Sequence, residues 1–258
     1  MKKGLCYKTQ GLTKLMDTNH LHNIEEYLNT TINESYKEIT TEEEAYNLFN
    51  NIITSFITNL SSEERIVLRL YTGYDFRGIN SLLRGVWDNE LNGDIDKTIK
   101  DKYQNLCNDL ELIINKFPTL NLNFKVFRGV DLKPFYEYGI EKLEDLKYMK
   151  NQFYYESGFT STSLLRDTSF YKKQSDNKTL CNIEIEYYIP KESSDGAMLL
   201  SDTLSISKEQ NEYLINSGSL FKIIDVNINK EKNIAFLKAI LIPKKIWSII
   251  NKKETIKR

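Results

Sequence analysis

The dipeptide Phe117-Pro118 divides this chain into two stretches with different periodicities. Before it, apolar residues recur at three- and four-residue steps, the mark of helices with one buried stripe. Ile24, Tyr27, Leu28 and Ile32 form one such set, and Ala45, Leu48, Phe49, Ile52 and Ile53 a second. Ile66, Val67 and Leu70 form a third, and Ile99, Tyr103, Leu106, Leu110, Ile113 and Ile114 a fourth within 95–116. Proline cannot continue a helix and turns the preceding residue away from helical backbone, so the last helix stops there. Beyond it, short β-branched and aromatic runs take over at 124–127, 153–159, 180–189, 197–200, 212–215, 221–227 and 234–242, with one inserted helix expected over 141–149.

A block of helices followed by a block of strands predicts an α+β fold. Its N-terminal helical lobe (18–116) is expected to pack on a mixed, mainly antiparallel β-sandwich core (120–250). No repeat, low-complexity tract or linker divides the chain, so residues 1–258 are expected to form a single domain. Thr41-Glu-Glu-Glu44 and Ser61-Ser-Glu-Glu64 each have the form of an N-cap with a capping box. Gly73 is expected to end one helix, with another running over 74–84.

Charge and cysteine usage exclude several function classes. With 35 Lys+Arg against 36 Asp+Glu the formal net charge is -1, which supplies no general attraction for nucleic acid or anionic membrane. Cys6, Cys107 and Cys181 are too far apart for a zinc cluster, and the only histidines are His20 and His22. No histidine-based triad and no metal site is therefore expected. The basic start lacks an apolar run behind it, so no signal peptide is visible, and no stretch of ~18 apolar residues suggests a membrane span.

Three short stretches carry candidate chemistry. Phe124-Lys-Val-Phe-Arg-Gly129 is an apolar strand ending in Arg128 and Gly129. Phe159-Thr-Ser-Thr-Ser163 follows Gly158 and suits a strand with one face in a cleft. In Gln210-Asn-Glu-Tyr-Leu-Ile215, Gln210 and Glu212 share one face, and Tyr213 and Ile215 the other. Each alone reads as an ordinary strand. Glu184 and Glu186, alternating with Ile183 and Ile185, read as a solvated strand face.

In that order, an Arg, a Ser-Thr-Ser and a Gln-x-Glu resemble the mono-ADP-ribosyltransferases, in the arginine-serine-glutamate class of bacterial toxins. The Gln-x-Glu variant is similar to the Rho-modifying clostridial exoenzymes and to the catalytic subunits of binary toxins. The segment from Tyr71 through Asn80 to Arg84, and the small-residue run Gly196-Ala-Met-Leu-Leu-Ser201, extend the likeness over roughly 71–242.

The resemblance implies NAD as co-substrate, no metal, and transfer of ADP-ribose to a side chain of a host protein, such as an asparagine of a small GTPase or an actin-like target. By that likeness Glu212, Gln210, Ser161 and Arg128 are the catalytic set, with Glu212 under the nicotinamide ribose, Ser161 holding it and Arg128 on phosphate. Tyr71, Asn80, Arg84, Gly129, Thr162, Ser163, Arg166 and Phe170, with Tyr171 as a substitute for Phe170, would complete the dinucleotide cleft. A glutamine at 210 cannot act as a base, which turns the acceptor toward an amide. The stretch 201–209 lacks the aromatic that Rho-modifying relatives place there. A secreted or injected toxin acting in a host cytosol follows, with a translocation subunit or an immunity protein as partner. The alternatives are an NAD glycohydrolase toxin and a catalytically inactive protein-binding relative.

Overall fold

The computed structural model describes residues 18–87, 96–167, 181–206 and 211–247. The helical half contains α1 (Thr18–Thr31), α2 (Glu42–Thr58), α3 (Ser62–Leu70), α4 (Phe76–Arg84) and α5 (Lys97–Ile114). Much of the predicted stripes faces inward: Ile24 and Leu28 of α1, Ala45, Phe49 and Ile53 of α2, and Leu110, Ile113 and Ile114 of α5 are buried, whereas Ile32, Leu48, Ile66 and Leu70 are exposed and α3 turns Leu68 inward in their place.

Ser61 caps α3 with the full reciprocal box, its hydroxyl accepting from Glu64 N while the Glu64 carboxylate accepts from Ser61 N. At α2 the box is displaced. Thr41 accepts from Glu44 N, but the Glu44 carboxylate reaches past it to Thr40 N. Gly73 breaks the helical run as expected, though not through a left-handed cap. It sits at φ -88, ψ -110 inside a π-turn, Tyr71–Asp75, that bends the chain between α3 and α4.

The second half supplies β1 (Phe124–Val130), β2 (Phe153–Glu156), β3 (Thr160–Ser163), β4 (Ile183–Ile189), β5 (Gly196–Met198), β6 (Glu212–Ile215), β7 (Ser219–Asn229) and β8 (Ile234–Ile242), followed by the short helix α6 (Lys244–Trp247). The helix expected over 141–149 is a tighter 3-10 segment, Leu143–Met149, after a similar one at Lys133–Tyr138. The strand expected over 153–159 stops at Glu156, because Gly158 turns into β3.

The strands form one sheet in the order β2-β7-β8-β4-β1-β3-β6-β5, antiparallel throughout except between β4 and β8. Its weak seam is between β1 and β3, where a single position pairs, Phe127 with Ser163. Five strands lie on one side of that seam and three on the other. The helices join the sheet in one continuous apolar core that includes Phe49, Tyr71, Leu110, Val126, Phe159, Leu214 and Leu237. A smaller cluster lies under α1, where Ile24, Leu28 and Tyr36 meet Leu220, Ile240 and Ile242. No helix among the described residues is long and apolar enough to cross a membrane.

Candidate active site

The seam collects the three motifs, since Arg128 is on β1, Ser161 on β3 and Glu212 on β6, three successive strands of the sheet. On β3 the pleat sorts the hydroxyls. Thr162 donates to the Tyr213 carbonyl at 2.5 Å. Ser163 lies opposite Glu212 in register, but its hydroxyl closes the following turn, donating to Leu165 O at 2.9 Å and accepting from Leu165 N at 3.2 Å. Ser161, two residues earlier on the same face, is diagonal to Glu212, where its hydroxyl favours the ionised carboxylate.

Glu212 is 3% exposed. Burial pushes its pKa up to about 7, against the Ser161 hydroxyl and the positive charge of Arg128, which both favour the ionised form. Arg128 is half-buried and its guanidinium has no hydrogen bond or ion pair among the described residues. It is a free donor fork beside a buried carboxylate.

The helical half closes the site from the other direction. Tyr71 is buried at the start of the π-turn, with its ring edge-on to Phe159 at 5.6 Å. Burial raises its phenol, and the nearby Glu212 charge raises it further. Asn80 of α4 donates to the Tyr71 hydroxyl at 3.2 Å and accepts from Phe159 N at 2.8 Å, so one side chain ties the turn to the entry of β3. That approach needs a glycine at 158, where a Cβ would stand 2.8 Å from Asn80 Oδ1 and 3.1 Å from Arg84 Cζ.

Arg84 donates from Nε to Glu156 at 2.9 Å. Its Nη2 is buried with no hydrogen-bond partner among the described residues. Glu156 is a residue that sequence reasoning passed over. Its carboxylate also accepts from Gly158 N at 2.9 Å and from the Tyr154 hydroxyl at 3.0 Å. Burial alone would raise it, but the Arg84 charge and hydrogen bond, with Arg128 nearby, hold it below the usual carboxylate range. The available signal was its phase: Tyr154 and Glu156 both take the inward positions of β2, where a lone carboxylate needs a partner.

Arg166 is not brought to this cluster. Its guanidinium lies 4.7 Å from the Phe127 ring centre and pairs with Glu184 at 3.0 Å and Glu186 at 2.6 Å. The same contacts correct the reading of β4: Glu184 and Glu186 are 7% exposed each, covered by Arg166 and Lys125 and not solvated. Gly129 is buried on β1 opposite Glu184. Gln210, Phe170 and Tyr171 lie outside the described residues.

No group of three or more His, Cys, Asp or Glu among the described residues is placed to hold a metal ion. Two surface hollows, of about 810 and 610 Å³, lie elsewhere. The first is between α4 and α5 and the second between α2 and the segment at 200–202. Neither is lined by Arg128, Ser161 or Glu212.

A sequence model of a family described as ADP-ribosyltransferase exoenzyme matches residues 33–244. No curated protein matches the chain. Among solved structures it is similar to C3stau2 from S. aureus, solved with NAD, at 20% identity over 82% of this chain and 100% of that one, with a TM-score of 0.63. The Clostridium limosum C3 exoenzyme is 24% identical over 81% of this chain and 98% of that one, with a TM-score of 0.61. BECa, the ADP-ribosylating toxin of a C. perfringens binary enterotoxin, was solved with NADH. It is 15% identical over 81% of this chain and 50% of that one, with a TM-score of 0.64. These likenesses carry the fold.

Proposed function

The chain belongs to the ADP-ribosyltransferase exoenzyme family and is an NAD-dependent mono-ADP-ribosyltransferase, and from that premise we propose that Arg128, Ser161 and Glu212 are its catalytic core. One observation carries the assignment: a buried carboxylate, Glu212, meets the Ser161 hydroxyl and the field of an unpaired Arg128 at the seam of the sheet. Cleavage of the nicotinamide–ribose bond sends its electron pair to the ring nitrogen. Neutral nicotinamide leaves and an oxocarbenium-like ribose remains. The chain must supply a carboxylate under that cation, a grip on the pyrophosphate and shelter from water.

Glu212 is the carboxylate, and Ser161 fixes its orientation. A cation arriving over it draws the proton off, so binding and ionisation reinforce one another. Arg128, and the unpartnered Nη2 of Arg84, are the donors for phosphate oxygens. Tyr71 and Asn80 wall the cleft and set the entry of β3. Thr162 and Ser163 shape β3 through bonds to the backbone. Gly129 gives close backbone approach beside Arg128.

The acceptor is a side chain of a eukaryotic host protein, and Gln210 directs the choice toward an amide such as an asparagine of a small GTPase. An amide at 210 has no proton-accepting role at neutral pH, so it would orient the acceptor by hydrogen bonding and not deprotonate it. The protein is a secreted or injected toxin acting in the host cytosol. The likeness to BECa leaves a separate delivery component as a partner to seek.

Incubation with labelled NAD, with and without eukaryotic lysate, tests the reading. Wild type should label a protein band, Glu212→Ala should not, and mass spectrometry of the band names the acceptor residue. Nicotinamide release with no labelled band would assign a glycohydrolase instead. Equal labelling by Glu212→Ala would remove Glu212 from the chemistry.

A further inference from the structure

We propose that Glu156 is a positioning residue of the NAD site, acting on it through Arg84 and through the Gly158–Phe159 turn. The inference rests on the reading of Arg84 and Ser161 given above.

Glu156 has no route to a substrate of its own. Its side chain is 6% exposed, and both oxygens are engaged by protein donors. Those donors come from three places. Tyr154 holds one oxygen from the same strand. The other oxygen is shared by Arg84 of α4 and by the amide of Gly158, the residue that starts the turn into β3. A single carboxylate thus fixes the end of a helix to the start of the strand that carries Ser161.

Asn80, one helical turn before Arg84, makes the parallel tie by accepting from Phe159 N. The two ties differ in one respect that matters for function. Asn80 completes its bonding within the protein, whereas Arg84 uses Nε on Glu156 and keeps Nη2 without a partner in a buried position. A guanidinium clamped at Nε has its plane set, and its remaining donors have a fixed direction. Glu156 therefore pre-organises a donor for an anionic ligand, at the same time as it sets the strand that orients Glu212 through Ser161. Its charge matters as well as its shape, because an amide would accept from Gly158 N without neutralising Arg84.

The test is a double-mutant cycle of Glu156→Gln, Arg84→Met and the pair, read as nicotinamide release from NAD without acceptor, alongside thermal melting. Glu156→Gln should raise the KM for NAD roughly tenfold, the loss expected for one charge-assisted contact, with a smaller fall in kcat. It should also melt earlier, because Arg84 loses its buried counter-charge. The pair removes both charges, so it should recover the melting temperature while keeping the raised KM. A role that does not act through Arg84 predicts instead that Glu156→Gln raises KM by the same factor again in the Arg84→Met background. That result, or a folded Glu156→Gln with the wild-type KM, overturns the proposal. Wild-type protein that releases no nicotinamide would mean that the functional reading has failed, a different outcome from either.

Discussion

At the scale of single residues, Glu212 sets the terms on which stability and activity trade. Its folded pKa of about 7 lies above the ordinary carboxylate value of about 4.3. Between these values the folded chain holds more protons than the unfolded one, so stability falls as pH rises through that window, by roughly 3–4 kcal/mol in all. On the catalytic role proposed for Glu212, activity runs the other way, because it is the ionised form that would stabilise the ribose cation. The kcat/KM for nicotinamide release should therefore climb with pH and level off above about 7. Wild type should lose more melting temperature than Glu212→Gln between about pH 5 and about pH 8, since the amide has no charge to bury. Parallel curves for the two proteins would show that Glu212 is not the group being titrated. Arg128, Ser161 and Glu212 could be nominated from the sequence because each sits in a short motif whose chemistry is local. Glu156 could not be, because its meaning depends on Arg84, far away in the chain. Glu184 and Glu186 were misread for a related reason: alternation places them on one face, but says nothing of the Arg166 guanidinium that covers it.

At the scale of elements, the site depends on how closely α4 can approach the turn before β3. The sequence placed α4 to within two residues, because helical periodicity is a local signal, but ran the preceding strand through the turn at 157–159. It did not reveal the seam between β1 and β3 or the π-turn at Gly73, which depend on strand pairing and on packing against distant residues. Gly158 is where the approach is closest. In Gly158→Ala the new methyl group would stand 2.8 Å from Asn80 Oδ1, well inside ordinary contact distance. Either Asn80 gives up its bond to Phe159 N or the turn moves. We expect a stability loss of about 1–3 kcal/mol in urea unfolding, with a raised KM for NAD in the protein that remains folded. Unchanged unfolding and an unchanged KM would show that the turn has room to spare. The contact at Gly73, where a Cβ would stand 2.9 Å from Ile206 Cδ1, is less demanding, because the obstacle is the end of a flexible side chain.

At the scale of the whole molecule, the two stretches divided at Pro118 do not make two cores. Apolar contact runs without a break from Phe49 and Leu110 of the helices to Leu237 of β8. One cooperative unfolding transition is the expectation. The segregation of helices and strands was legible because each periodicity persists over many residues, but the sharing of one core was not, since a buried stripe does not name its partner. The cluster under α1 offers a test. It joins Ile24 and Leu28 to Leu220, Ile240 and Ile242 of β7 and β8, strands separated from β3 by β4 and β1. The residues of α1 also precede the matched family region at 33–244. Leu28→Ala should cost about 2–5 kcal/mol, the usual range for truncating a buried leucine. If the cluster belongs to the same cooperative unit, the whole transition should move to lower denaturant with its slope unchanged. Nicotinamide release by the folded protein should stay at the wild-type rate, because no residue of the cluster approaches Arg128, Ser161 or Glu212. A separate early step in the unfolding curve would instead make α1 an independent layer that the catalytic body does not need.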